Sequence, residues 1–330
     1  MERKNAEPTL IDGLTADLGG PRTVRFLDAA AKAVDFHGLA ASIRGAVAVE
    51  QPKGGRPYWP VVVMLKCLML AKWYGLSDPQ LEEQLRDRLS FRRFVGLGLD
   101  DDTPDETTFV RFRARLRESG QDATLFQQVL DQLRGKGLVL KEGSLVDAMI
   151  VEAPRGRGKE EDGDCTRDRC ASFTKKHGRT YHGYKAHVKV SVDRIIVDYV
   201  FDSAATHDSQ HMDALIEGET KAVYADSAYM DQTRSAAFKE RGIHDGIVQR
   251  RVRGQADLTE EQKEHNRACS KVRARVEHPL ATLRQMGYRR TRYRGLRRNA
   301  ADFAATATAA NIKRSLSLLG MRQTPVRRAA

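Results

Sequence analysis

The apolar periodicity of the chain changes at Gly143, and this change limits the possible folds more than any other feature of the sequence. From Pro57 to about Leu140 apolar residues recur at helical spacing in five runs, Trp59–Tyr74, Pro79–Arg88, Leu89–Val95, Pro104–Arg117 and Ala123–Lys136. The short loops between them predict a compact helical bundle. Beyond Gly143 come short β-rich runs, Ser144–Val151, His187–Asp193, Ile195–Phe201, Ala222–Ala225 and Gly246–Gln249. Helical stretches at Ser209–Glu217 and Gln232–Glu240 separate the later runs, and a long helix is expected over Thr259–Gly287. In order this reads β-β-β-α-β-α-β-α, a mixed sheet flanked by helices. Between the first two strands the sequence is rich in Gly and in both charges and poor in apolar residues, which predicts a surface or disordered loop insertion at about 152–182.

A chain of 330 residues is too long for one ordinary domain, and the change at Gly143 supplies the division into two. Four cysteines, of which Cys165 and Cys170 alone are close together, make neither a disulfide framework nor a zinc site and fit a reducing cytoplasm. The longest apolar run, Val61–Ala71, contains Lys66 and is shorter than the roughly 20 residues that span a bilayer. The start, Met1-Glu2-Arg3-Lys4, continues into mixed polar residues without the apolar core of an export signal.

The net charge of +12 is unevenly placed. From Lys271 to Ala330 there are 15 Lys/Arg against Glu277 and Asp302, a net +13, so the first 270 residues together carry about −1. Tyr288–Arg298, with six arginines including Arg289 and Arg290 and two tyrosines, suits phosphate contact combined with stacking on sugars or bases. A solvated basic tail or an anchor for an acidic protein would carry the same charge. In the front half Thr103 is expected to cap a helix in which Pro104 takes the first position and Glu106 closes a capping box. On that helix Phe109, Phe112 and Leu116 lie within about 60° of one another, with Arg111 and Arg115 opposite, free for DNA or for solvent.

Three carboxylates stand out. Asp147 interrupts the apolar strand Leu145–Val151, where a charge must be paired, exposed at an edge or bound to metal. Asp226 closes the strand that begins at Ala222, and strand ends are where α/β sheets place ligands. Taken singly, each is as readily a turn former or cap. On its helix Glu277 lies within about 40° of Arg273 and Arg284, beside an apolar stripe of Val272, Val276, Leu280 and Leu283. This suits a metal ligand flanked by phosphate-binding groups, or an ordinary ion pair with Arg273. Pro279 predicts a local distortion just after Glu277. His207 and His211 have the spacing of a helical zinc pair, with His182 or His187 as a third ligand, but they read better as a helix start capped by Asp208 or Ser209.

In combination and in order, several segments resemble a known family. Val146–Ala148, Gly183–His187, Ala204–Ser209, Val223–Tyr229 and Arg273–His278, together with Gly55–Pro57, Tyr74–Asp78 and Thr103–Phe109, resemble the DDE transposases of bacterial insertion sequences, of the insertion-sequence-five group. The likeness covers about residues 50 to 300. It implies an α-helical N-terminal domain plus an α/β ribonuclease-H-like catalytic domain. The corresponding division is an N-terminal extension at 1–50, a helical DNA-binding domain at 51–140, a catalytic domain at 141–300 and a basic tail at 301–330. It also implies Asp147, Asp226 and Glu277 as catalytic triad and metal ligands. In the family signature around the Glu, Arg273 and Glu277 match, while Ser270 stands in place of Tyr and Arg284 in place of Lys.

The implied activity is cleavage of DNA at terminal inverted repeats and strand transfer into target DNA. Such carboxylates can hold two Mg²⁺ about 3.5 to 4 Å apart, with Mn²⁺ able to substitute, for in-line displacement at phosphorus. Lys185, Arg273 and Arg284 are candidates for the phosphate backbone. The resemblance further implies double-stranded DNA as partner, self-association on it, and a place in the bacterial cytoplasm at the nucleoid. A stand-alone metal-dependent nuclease and a non-catalytic DNA-binding regulator are the rival functions.

Overall fold

A computed structural model of the protein describes residues 22–47, 57–140, 142–157, 166–176, 178–251, 255 and 257–320. The chain start, Gly55 and Arg56, Cys165, the middle of the insertion, and Arg322, Arg327 and Arg328 lie outside these residues. The chain divides into two units, one of residues 1–135 with 304–330 and one of residues 136–303.

The first unit is helical: α1 Arg22–Ala33, α2 Phe36–Val47, α3 Val61–Tyr74, α4 Asp78–Asp87, α5 Leu89–Val95, α6 Glu106–Glu118 and α7 Gln121–Gly135. Two of these, α1 and α2, lie in what the sequence suggested was an extension. The apolar run of α3 is almost wholly buried, and Gly75 ends the helix in the left-handed conformation (φ 66°) that favours glycine. A capping box of Ser77 and Gln80 starts α4. For α6 the cap is Asp105, not Thr103. The Asp105 carboxylate accepts from the Thr108 N–H and the Thr107 hydroxyl, both at 2.7 Å, whereas Thr103 Oγ1 accepts from Arg86.

The expected basic tail is a helix too. The chain from Leu296 to Leu318 forms α12, whose residues from Ala304 onward belong to the first unit. There Ala304, Ala307, Ala309 and Ile312 are buried, and the Trp73 indole N–H of α3 donates to the Ala309 carbonyl at 2.9 Å. Around Trp73 the rings of Phe26, Phe94 and Phe36 meet at centroid distances of 5.1 to 5.9 Å.

The second unit contains a sheet of β1 Ser144–Glu152, β2 Ser172–Lys176, β3 Arg179–Ser191, β4 Ile196–Ser203, β5 Ala222–Ala225 and β6 His244–Ile247. Antiparallel β4-β3-β1 is continued by β5 and β6, parallel to β1, and β2 pairs with the start of β3. The mixed sheet matches expectation, but β2 and the first half of β3 occupy part of the expected loop. The sequence of β2, Ser-Phe-Thr-Lys-Lys, carries too little apolar signal to read as a strand. Gly183 lets β1 and β3 approach, since a Cβ there would lie 2.1 Å from the Val151 carbonyl oxygen.

Further helices of this unit are α8 Met212–Leu215, α9 Gln232–Glu240, α10 Glu260–Arg273 and α11 Glu277–Gln285. Val146 of β1 packs with Met212, Leu215, Val223, Phe238 and Ile247, which buries that side of the sheet. The single long helix expected over 259–287 is broken by a 3-10 turn at Ala274–Val276. The break precedes Glu277 because Pro279, lacking an N–H, leaves the Arg275 carbonyl without its helical donor.

Candidate active site

β1 places Asp147 opposite Val188 of β3, in a strand flanked by the fully buried Leu145 and Val146. Its side chain is 14% exposed. Burial pushes its pKa up to about 6, and the charges of Asp226 and Glu277 push in the same direction. The Ala148 N–H, donating at 2.8 Å, and Arg273, whose Nη1 lies 3.7 Å away, oppose the rise. Asp226 follows β5, whose parallel register with β1, Ser144 beside Val223, brings Asp226 level with Asp147. Its carboxylate is fixed by the Ala228 N–H at 2.7 Å, where it caps a 3-10 turn, Ser227–Tyr229. Glu277 opens α11 and is exposed. The charges of Asp226 and Glu277, from two other elements, thus reach Asp147, and Arg273 supplies a neighbouring cation. Among the described residues, no three His, Cys, Asp or Glu side chains are drawn together closely enough to hold a metal ion in this arrangement. The donor set nevertheless fits a divalent cation: the oxygens are hard ligands, and added positive charge would relieve the carboxylate repulsion at Asp147.

Residues 139–312 match the family described as Transposase DDE domain, and residues 20–115 match the Transposase domain (DUF772). The chain belongs to the DDE transposases. No solved structure matches it.

Behind the acids of this transposase lies a layer that sequence reasoning did not pick out. Tyr229 is 1% exposed and its hydroxyl has no hydrogen-bond partner among the described residues. Burial, followed by the charges of Asp208, Asp147 and Asp226, pushes that hydroxyl far above its ordinary pKa, so it stays protonated. Arg234, also buried, donates to Asp213 at 2.7 Å and to the Tyr229 carbonyl at 2.8 Å, which ties the turn after Asp226 to α8. Neither residue had a sequence signal beyond the presence of Tyr229 in the Val223–Tyr229 segment.

The predicted DNA-contacting residues are scattered. Lys185 donates to Asp208 at 2.8 Å and to the Thr206 carbonyl at 3.0 Å. Arg273 is half-buried beside Asp147, whereas Arg284, Arg289 and Arg290 are exposed. Arg111 is exposed on α6, but Arg115 is half-buried, its Nε enclosed without a partner among the described residues, so it is less open to DNA than Arg111. Tyr288, expected to stack on bases, is instead buried against Phe303 at 5.4 Å and donates its hydroxyl to the Asn299 carbonyl. Of the histidines, His207 caps the 3-10 turn Asp208–His211 itself, through its side chain to the Ser209 N–H. His187 is buried against His211 at 4.8 Å, and burial pushes its pKa down to about 4.

Proposed function

We propose that this transposase binds the terminal inverted repeats of an insertion sequence of the insertion-sequence-five group, cuts the element ends and joins them to target DNA. The observation that carries this reading is Asp147, a carboxylate held in an apolar strand between buried neighbours, with Arg273 at 3.7 Å and the charges of Asp226 and Glu277 acting on it. Burying a carboxylate among apolar neighbours costs stability, and such costs cluster at functional sites. The strand order β4-β3-β1-β5-β6 supports a ribonuclease-H-like catalytic domain.

Asp147, Asp226 and Glu277 would hold two Mg²⁺ ions, which when bound supply Lewis-acid stabilisation of an in-line displacement at phosphorus. Asp226 is oriented for this by the Ala228 N–H, and Arg234 fixes the turn that carries both. Arg273 balances the charge of Asp147 and can turn to a phosphate oxygen. Lys185 reaches DNA by exchanging Asp208 for phosphate, and Arg284, Arg289 and Arg290 offer exposed guanidinium groups. On α6, the exposed Arg111 is the candidate DNA contact of the helical unit. Pairing two element ends calls for self-association on the DNA, and the substrate places the protein at the bacterial nucleoid. No helix among the described residues is long and apolar enough to cross a membrane.

The test uses Asp147→Asn, Asp226→Asn and Glu277→Gln, which remove charge and hardly change volume. Each should lose Mg²⁺-dependent nicking and joining of a terminal-repeat duplex while still binding it. Near wild-type nicking by any one of the three would remove that residue from the triad.

A further inference from the structure

The expected loop insertion and the arginine-rich segment after α11 meet at a buried acid. Asp168, 7% exposed, accepts hydrogen bonds from the Tyr184 hydroxyl at 2.6 Å, the Gly295 N–H at 2.9 Å and the Cys170 N–H at 3.0 Å. These bonds hold its pKa below the ordinary aspartate value in spite of its burial. The backbones around it are locked as well. The Arg157 N–H donates to Thr166 Oγ1 at 2.7 Å, Arg167 Nε to the Arg155 carbonyl at 2.8 Å, and Arg294 to the Thr166 carbonyl. Gly156 fits so closely that a Cβ there would lie 2.8 Å from the Arg167 backbone. At the other end the Glu152 N–H donates to the Arg289 carbonyl at 3.0 Å, and the Thr291 N–H returns to the Glu152 carbonyl at 2.8 Å.

Within 153–157, 166–176 and 289–298 there are twelve Lys/Arg, and Asp168 is the one acid. Arg155, Arg157 and Arg169 of the insertion and Arg289, Arg290 and Arg294 of the later segment are exposed. Glu160, Glu161, Asp162 and Asp164 lie outside the described residues and are not counted in this surface. Fixing so many like charges on a rigid backbone is unfavourable for the isolated chain and is repaid by a polyanion. We infer that residues 153–157 and 166–176 of the insertion and the Arg289–Arg298 segment form one surface, organised by Asp168, that grips the phosphate backbone of a DNA duplex. Duplex DNA as the ligand rests on the transposase reading, and it offers one negative charge per about 1.7 Å of helix axis.

Replacing Asp168 separates geometry from charge. Asp168→Asn raises the net charge by one, so a surface acting only through its charge would bind DNA as well or better, whereas a surface that needs its shape would bind worse. The probe is a duplex of about 30 base pairs of arbitrary sequence, titrated between roughly 50 and 200 mM KCl. We expect Asp168→Asn to weaken binding about tenfold with a shallower salt dependence. The joint variant Arg155→Ala, Arg157→Ala, Arg169→Ala changes only exposed side chains, and its log–log slope should fall by about 2 to 3 at roughly 0.9 per phosphate contact. Equal or tighter binding by a folded Asp168→Asn protein overturns the organising role, and an unchanged slope in the triple variant overturns the surface. Mg²⁺-dependent nicking by the wild-type protein is followed in parallel. If nicking is intact while both variants bind normally, this inference alone fails, and if the wild type neither nicks nor binds DNA, the transposase reading fails with it.

Discussion

Asp147→Asn should make the protein more stable while it abolishes cleavage. The Asp147 carboxyl ordinarily titrates at 3.8, and in the folded chain burial and its acidic neighbours push it to about 6. The folded state therefore holds this proton more tightly than the unfolded chain does, and stability falls as pH rises from about 4 through 6. Above pH 6 the ionised side chain costs roughly 3 kcal/mol, at 1.36 kcal/mol per tenfold change in proton affinity. Asparagine cannot ionise, so the variant should gain about 2 to 3 kcal/mol at pH 8 and little at pH 4. For a unit of this size that is on the order of 5 °C in Tm. The assay is thermal unfolding of both proteins from pH 4 to 8 without divalent ions. His187, whose depressed pKa makes acid destabilising below about 6.5, titrates in both proteins and cancels in the difference. Adding Mg²⁺ should raise the wild-type Tm and leave the variant nearly unmoved. A variant no more stable than wild type at pH 8, or a gain independent of pH, would refute the reasoning.

Arg234→Ala should destabilise the second unit by about 1 to 3 kcal/mol in urea unfolding, because the Tyr229 carbonyl loses a buried donor while the exposed Asp213 is hydrated instead. Gly183→Ala forces a methyl group against the Val151 carbonyl, so a loss of about 3 kcal/mol or more, or insoluble protein, is expected from circular dichroism melts and yield. Arg111→Ala should lower the preference for terminal-repeat over random duplex by about 1 to 3 kcal/mol in competition binding with little change in Tm. Arg115→Ala, at a half-buried site, should show the opposite pattern.

Legibility in the sequence follows where each interaction is recorded. The helix-to-strand change at Gly143 and the mixed sheet were readable because apolar spacing reports which face is buried. Asp147 was readable because a charge inside an apolar strand conflicts with its surroundings. Asp168 and Arg234 were not, since their partners include backbone groups and hydroxyls brought near by the fold, and such partners leave no trace in residue spacing. The Asp105 cap was missed because Thr103 and Asp105 are both good caps two residues apart, and only the chain geometry selects between them. Helix α12 was hidden behind the arginine census. Its Ala- and Thr-rich middle is buried all round and carries no amphipathic stripe from which a helix could be read.

The hydrogen bond from Trp73 to Ala309 sets an order on synthesis. Its two residues are separated by 236 positions, so at roughly 5 to 20 residues per second the ribosome needs about 10 to 50 s after making α3 to deliver its partner. Throughout that interval the helical unit lacks a segment whose buried alanines complete its core, while the whole of the second unit emerges and can fold. A chain cut short by a late stop codon or by proteolysis near Phe303 therefore keeps all three acids but leaves the Trp73 indole without its acceptor and the apolar surface around it uncovered. Such fragments should be cleared or aggregate, so the last helix ties an intact carboxylate site to a finished chain.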